Sequence, residues 1–425
     1  MKTLYLAHRI PFPPNKGDKI RSFNEIKYLS KDHEIHLACL ADDPKDLKYE
    51  DHLKTFCKST NVVLINPKIA KLKSSFHLFS KRPLSVPYFY SRKLQQTIDR
   101  LLSTNDFDAI FCFSSPMAEY VFRSRLRVSC FLKHDNTGNQ KPATSNHHPK
   151  LIMDFVDVDS EKWAQYAKYT SIPKSSIYRL EAARLAVYER RVAESFDHSI
   201  FITEAEEKIF KGKNPHIKNI SVISNGVDLD YFSAGVSQEQ PTRNQPAETS
   251  DHQPVIVFTG AMDYYANIDG VVWFTKEVLP LIKREIPNVQ FFIIGSNPTK
   301  EVIELSGNDG VTVTGYVPDT REYLRKATVV VVPLRIARGI QNKILEAMAM
   351  GIPVVATPQA FEGIAAKPDR DLFLGEDEEM IAASVIKLVK EVSLRKSLGD
   401  NARRITEKNY HWVKRLEGLD SILTR

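Results

Sequence analysis

The sequence predicts an α/β protein built from two doubly wound parallel sheets, on three observations. Hydrophobic runs of strand length alternate with stretches of helical pattern throughout, the signature of βα units. The runs fall into two series separated by a strongly polar stretch, 235–254. The length of 425 residues, 42% of them hydrophobic, suits two domains of roughly 100 to 200 residues, each with its own core. The first series reads as strands at 3–7, 35–40, 62–65, 109–113, 151–156, 198–202 and 220–223. The second reads as strands at 255–259, 289–294, 311–314, 328–332 and 353–356. In such sheets ligands sit beyond the carboxyl ends of the strands, where the strand order reverses.

Composition removes several classes. With 17 Gly, 23 Pro and 26% charged residues, neither disorder nor a fibrous repeat fits. No apolar run approaches the ~18 residues of a membrane-spanning helix, and Met1-Lys2-Thr3 leads into strand-like Leu4-Tyr5-Leu6 instead of a signal peptide, so a cytoplasmic protein is expected. Cys39, Cys57, Cys112 and Cys130 show no paired ligand spacing, which predicts buried reduced thiols and no zinc or redox role. The net charge of +7 suits an anionic ligand, nucleic acid or a membrane surface, and the placement of the charge must decide.

The stretch between the two series has almost no apolar side chains and reads as a mobile linker, 236–253, between a first domain over 1–235 and a second over 254–405. A second polar insertion, 133–150, interrupts the first domain; its adjacent His147 and His148 read as part of a solvated loop, a metal role lacking any acidic or thiol partner nearby. Beyond Glu376 the chain is helical, with Ile381, Ala382, Val385, Leu388, Val389 and Val392 at near-helical spacing.

The segment 331–357 carries the most chemistry. A buried strand ends at Pro333, a loop holds Gly339, a helix opens near Gln341 or Asn342, and Gly351 with Pro353 ends it before another strand. Gly339 lets backbone approach a ligand, the first-turn amides have no intrahelical partner, and the helix dipole favours an anion there. Lys343 opposes that dipole unless an anion such as a phosphate lies beside it. Glu346, one turn on, suits two vicinal hydroxyls such as those of a ribose. A plain surface Lys-Glu pair at i, i+3 accounts for the same two residues.

The run Leu345-Glu346-Ala347-Met348-Ala349-Met350-Gly351-Ile352-Pro353-Val354-Val355-Ala356-Thr357 resembles the donor-binding signature of the group 1 glycosyltransferases, glycosyltransferase family 4. That resemblance implies the GT-B fold: two facing Rossmann-like domains, with a terminal helix, 406–425, packing back on the first. The family carries two glutamates with seven residues between them. Glu346 matches the second, which binds the nucleotide ribose, while Arg338 stands where the first would be. Arg338 is expected to meet the diphosphate or an acidic donor sugar, or to be a plain surface arginine. Other segments follow the family in order. Ser221-Val222-Ile223-Ser224-Asn225-Gly226-Val227-Asp228, with Phe232, resembles its crossover between domains. Val255 to Asp263 with Asn267 resembles the first strand and loop of the donor domain, and Gly295 and Gly315-Tyr316-Val317 resemble loops bracketing the base. No basic residue follows Gly260 as it does in many relatives, so Lys343 must supply most of the charge. The resemblance thus implies a donor site of Gly260, Gly295, Arg338, Gly339, Gln341, Asn342, Lys343 and Glu346.

In the first domain, Lys16-Gly17-Asp18-Lys19-Ile20-Arg21 follows the first strand and opens a helix, an arrangement that cradles an anion or sugar. Gly17 corresponds to the family's glycine loop, so Gly17, Asp18, Lys19 and Arg21 are expected to serve the acceptor, although a solvated basic turn explains the charges as well. Asp157 and Asp159, in Asp154-Phe155-Val156-Asp157-Val158-Asp159-Ser160-Glu161-Lys162-Trp163, stand at a strand end where many family members have a His-Asp pair. Carboxylates there are candidates to bond the acceptor hydroxyl or position the donor sugar, Asp157 first and Asp159 second. The Asp-Val-Asp pattern also admits a divalent metal; an alternating strand edge explains it equally, and the two-sheet organisation argues against metal.

From Asn66 to Lys93 there are seven basic residues, no Asp or Glu, and interleaved Phe76, Leu78, Phe79, Tyr88, Phe89 and Tyr90. That suits an anionic membrane surface carrying a lipid-linked sugar, or a basic face packed on its own domain; nucleic acid is not expected. The expected activity is transfer of a sugar from a nucleotide diphosphate donor to a hydroxyl of a saccharide or lipid-linked saccharide, with retention of configuration and without a cofactor or metal, in surface-glycan or exopolysaccharide assembly. Within the family, 154–163 and 338–343 resemble the sugar transferases of the PEP-CTERM exosortase system. A nucleotide-sugar epimerase and a non-catalytic glycan- or nucleotide-binding partner are the alternatives, the latter encouraged by Arg338.

Overall fold

A computed structural model describes residues 1–124, 148–233, 253–337 and 339–424. The chain divides into two compact units, one of Met1–Ser224 with Leu416–Arg425 and one of Asn225–Arg415. Each is a parallel sheet flanked by helices. The expected linker 236–253 falls outside the described residues except for its last residue, as do Arg338, Cys130, His147 and most of the polar insertion.

The first unit holds strands β1 (Lys2–Ala7), β2 (Glu34–Ala41), β3 (Ser59–Leu64), β4 (Ala109–Phe113), β5 (Lys150–Val156), β6 (His198–Phe201) and β7 (Ile220–Val222) in the order β3-β2-β1-β4-β5-β6-β7. Every pairing is parallel, with Thr3 opposite both Ile35 and Ala109. Helices on both faces bury these strands, so β4 reads Ala-Ile-Phe-Cys-Phe with no exposed position. Leu4, Leu6, Ala38, Leu40, Ile110 and Met153 form the centre of its core. Cys39, Cys57 and Cys112 are buried free thiols.

The second unit repeats the plan with β8 (Val255–Thr259), β9 (Gln290–Ile294), β10 (Val311–Gly315), β11 (Val329–Val332), β12 (Val354–Ala356) and β13 (Phe373–Leu374) in the order β10-β9-β8-β11-β12-β13. Both sheets therefore reverse beside their first strand, between β1 and β4 and between β8 and β11, which is where a doubly wound sheet binds its ligand.

Two differences from the sequence pattern have physical causes. Strand β3 begins at Ser59, before the apolar run, because Ser59, Thr60 and Asn61 pair through their backbone with His36, Leu37 and Ala38 at the sheet edge, where one side of the strand needs no apolar cover. Strand β13, unforeseen, is two residues long and too short to show a period. The helix Trp412–Thr424 crosses the boundary at 415, and its last part joins the first unit, where Tyr28 donates to Asp420 at 2.6 Å.

Candidate active site

At the reversal point of the second sheet, Lys343 occupies the first turn of the helix Asn342–Ala349. Gln341 makes no side-chain cap to that helix start and the first turn has no acidic residue, so the positive end of the helix meets no carboxylate from its own first turn. The Lys343 ammonium donates to Asn267 Oδ1 at 2.7 Å and lies 4.1 Å from the centre of the Phe258 ring. Asn267 is held in turn by donating to the carbonyl of Ala261 at 2.8 Å. Gly260 lies directly beneath: a Cβ there would come 2.7 Å from Asn267 Nδ2 and 3.0 Å from Lys343 Nζ.

Burial pushes Lys343 down to about 7, with the nearby charge of Glu346 acting against it. Burial likewise pushes Glu346 up to about 7, opposed by Lys343. Among the described residues neither group is in an ion pair. Near neutrality this site therefore has a basic and an acidic group each half-titrated, and a bound anion would decide their charges.

Two glycines are dictated by geometry. Gly295, after β9, has φ +158°, and a Cβ on it would lie 1.6 Å from the carbonyl oxygen of Gly260. Gly339, with φ +65°, turns the chain left-handedly just ahead of the helix. Gln341 donates to the carbonyl of Gly339 at 3.2 Å, and Asn342 accepts from Asn225 at 3.1 Å. Of the expected donor residues, Gly260, Lys343 and Glu346 come together here; Gln341 and Asn342 spend side-chain bonds on holding the loop and the start of the crossover. Arg338 lies outside the described residues.

A neighbouring feature was not legible in advance. The Arg321 guanidinium stacks 3.7 Å from the centre of the Tyr231 ring, donates to the Tyr231 carbonyl at 3.0 Å and is gripped by Asp319 at 2.6 Å. The charge of Glu346 reaches the Tyr231 hydroxyl, adding to the burial and the Asp319 charge that raise it.

In the first unit the expected acceptor residues separate. Gly17 is exposed and opens the helix Gly17–Leu29. Asp18 accepts from Arg9 at 2.6 Å and sits 3.1 Å from His8 Nε2. Burial alone would raise the Asp18 carboxyl, but His8 and Arg9 hold it well below the usual range. Lys19 and Arg21 need correction, because both are interior ions. Lys19 is buried against Asp46 at 2.5 Å. Arg21 is 0% exposed; it donates to Asp154 at 2.6 and 2.8 Å and to the Ile223 carbonyl at 2.7 Å, and lies 3.0 Å from Glu25. Positions 19 and 21 lie roughly 200° apart on a helix that is covered on both sides, so each is interior, and an arginine there needs full pairing, which these carboxylates supply. Neither side chain is available to an acceptor.

Asp157 and Asp159 stand beyond the carboxyl end of β5, on the turn into the helix Asp159–Lys168, which three interior carboxylates hold. Asp154 accepts from the amide of Val156 at 2.8 Å, Glu206 from Val158 at 3.1 Å and Glu189 from Ser160 at 2.9 Å. Val156 adopts φ +66°, a left-handed conformation that is costly for a β-branched residue and that these anchors enforce. Burial raises Asp157 to about 6, with Lys162 opposing and Asp159 reinforcing. Glu189 is raised to about 8 by burial against its bonds from Ser160, and Glu206 is raised well above the ordinary value by burial and the Asp157 charge. Lys162 sits 3.9 Å from Asp157 and 3.6 Å from Asp159. Among the described residues no three His, Cys, Asp or Glu side chains gather as a metal-holding group. Glu189, Glu206, Asn267 and His8 gave no spacing signal of their own; Asn267 stood out only as part of a family-like segment.

Residues 253–391 match the family model described as glycosyl transferases group 1. An uncharacterized 44.6 kDa protein in the cps region of Klebsiella pneumoniae is 21% identical over 420 residues, 96% of each chain. The capsular polysaccharide biosynthesis glycosyltransferase CapM of Staphylococcus aureus is 28% identical over 143 residues, 32% of this chain and 37% of that one. Among solved structures, sucrose-phosphate synthase from Thermosynechococcus elongatus superposes with a TM-score of 0.68 at 16% identity, covering 99% of this chain and 98% of its own. Anabaena HepE in complex with UDP-glucose gives 0.66 at 14%, covering 100% and 99%. With its two parallel-sheet units the chain has the GT-B fold, and residues 253–391 of its second unit match the group 1 glycosyltransferase family.

Proposed function

We propose that this glycosyltransferase moves a sugar from a nucleotide diphosphate donor to a hydroxyl of a saccharide or lipid-linked saccharide, with retention of anomeric configuration. The carrying observation is Lys343: a half-buried ammonium in the first turn of a helix, directly over Gly260, where the second sheet reverses. Among the described residues no carboxylate forms an ion pair with it, and a diphosphate supplies that charge. As the glycosidic bond to the donor breaks, negative charge grows on the leaving diphosphate, and the Lys343 ammonium with the first-turn amides stabilises it without a metal. Glu346 accepts the two ribose hydroxyls. Asp157, fixed by its interior anchors, takes up the acceptor hydroxyl's hydrogen bond, and Asp159 steadies Lys162 beside it.

The complexes of HepE with UDP and UDP-glucose support a uridine nucleotide as donor here. The cps-region relative and the capsular glycosyltransferase support a place in exopolysaccharide assembly, and the segments at 154–163 and 338–343 support the PEP-CTERM-associated branch. No helix of the described residues is long and apolar enough to cross a membrane; a peripheral, cytoplasmic place fits the acid-free basic stretch at 66–93. Thermal shift with UDP, GDP and their sugars tests the reading. A ligand at ~100 times its dissociation constant adds ~2.7 kcal/mol, and a uridine or guanosine diphosphate should do so in wild type and fail in Lys343→Met. Equal shifts in both proteins would remove Lys343 from the site.

A further inference from the structure

One helix of the first unit is turned inside out. In Pro67–Ser75 the residues facing the protein are Ala70 and Ser74, both buried, whereas the larger Ile69 and Leu72 face outward and are exposed. The turn Phe76–Phe79 continues the stripe, with Phe76 76% and Phe79 97% exposed. Positions 69, 72, 76 and 79 follow the helical spacing, so these side chains form one contiguous apolar ridge, which an ordinary surface helix would have turned to the core.

The ridge is held out by design. Ser74 Oγ donates to the Leu84 carbonyl at 2.6 Å, and Glu181 accepts from the amides of Leu84 at 2.5 Å and Ser85 at 2.9 Å. Arg184 donates to the carbonyls of His77 at 3.2 Å and Leu78 at 2.8 Å. All of these bonds grip the backbone from within and leave the apolar side chains outside. Around them Lys68, Lys71, Lys73, Lys81 and Arg82 are exposed, and no acidic residue occurs from 66 to 93.

We infer that 67–82 docks this protein on an anionic lipid bilayer, the apolar ridge entering the interface and the surrounding basic side chains meeting the headgroups. Charge selects this occupant. A second copy would bring basic against basic, while an anionic bilayer offers both a negative plane and an apolar layer beneath it. The inference rests on the peripheral reading of 66–93 and is independent of the donor site.

The test is co-sedimentation with vesicles of phosphatidylcholine alone and with about 30% phosphatidylglycerol, at low and high salt, with UDP binding measured on the same preparations. Each exposed lysine should contribute on the order of fivefold to the partition constant on anionic vesicles. K68Q/K71Q/K73Q should therefore bind them roughly a hundredfold more weakly than wild type. F76S/F79S should lose binding at both salt concentrations while UDP binding stays unchanged, because both rings are already in solvent. Wild type that ignores phosphatidylglycerol overturns the inference, as does F76S/F79S that sediments like wild type. A dimer that F76S/F79S converts to monomer would overturn it by assigning the ridge to a second copy. UDP binding without vesicle binding sinks the docking inference alone, and vesicle binding without UDP binding sinks the donor reading alone.

Discussion

Binding of a nucleoside diphosphate should move protons in opposite directions on the two sides of neutrality. With Lys343 at about 7 in the free protein, roughly nine-tenths of it is neutral at pH 8. A phosphate charge ~4 Å away in surroundings of effective dielectric ~20 interacts by about 4 kcal/mol, close to three pH units, so the bound form carries a full ammonium. Binding at pH 8 should then take up about 0.9 proton. At pH 6 the lysine is already charged, whereas Glu346, also at about 7, is mostly protonated. Accepting the ribose hydroxyls favours its carboxylate, so binding at pH 6 should release up to about 0.9 proton. Calorimetric titration of UDP in buffers of different ionisation enthalpy reads both numbers. Lys343→Met should abolish the uptake at pH 8 and spare the release at pH 6; Glu346→Gln should do the reverse. Buffer-independent heats at pH 8, or an uptake that survives Lys343→Met, would refute the placement of the diphosphate at this lysine.

The same two groups set the stability of the ligand-free protein. A lysine depressed below its ordinary value costs stability fully below pH about 7 and progressively less as pH rises towards 10, so Lys343→Met should raise the melting temperature at pH 6. A glutamate raised above its ordinary value costs stability above pH about 7 and none below about 4.5, so Glu346→Gln should raise it at pH 8. Gly295→Ala forces a Cβ onto the Gly260 carbonyl and should destabilise by about 3 kcal/mol or more, read by urea titration. Asp154→Ala leaves Arg21 buried with one carboxylate partner fewer and frees the amide of Val156; a loss of about 3 to 5 kcal/mol is expected in the same assay. Asp157→Asn should lower the transfer rate about 10²- to 10⁴-fold with UDP affinity unchanged, and should remove the rise in activity through pH about 6 that ionisation of this carboxyl gives the wild type.

The parallel sheets were legible because strands buried on both faces are continuous apolar runs, as at 109–113 and 255–259. The segment proposed to hold the donor stood out in the sequence because one short stretch carries a strand end, a left-handed glycine, a helix start and Lys343 together. Arg21 and Lys19 were misread because sequence shows charge and not burial: the two are interior on opposite sides of one helix, against Asp154 and Asp46, which lie 133 and 27 residues along the chain. Glu189 and Glu206 were invisible for the same reason, since each anchors a backbone amide 29 or 48 residues away and leaves no local pattern. Phe76 and Phe79 were read as part of a basic and aromatic stretch, but sequence does not show that they point outward, as the fold does.

The membership of Leu416–Arg425 in the first unit bears on synthesis. Leu416 and Leu419 are fully buried there, and Gly418 lies against Ile223. A nascent chain emerging from the ribosome thus releases the seven-stranded half early yet leaves an apolar seam on it open while Asn225–Arg415 is made. At translation rates of 5 to 20 residues per second that interval is roughly ten to forty seconds. During it that seam stays uncovered, and loss of the helical turns carrying Leu416 and Leu419 would injure the half made first.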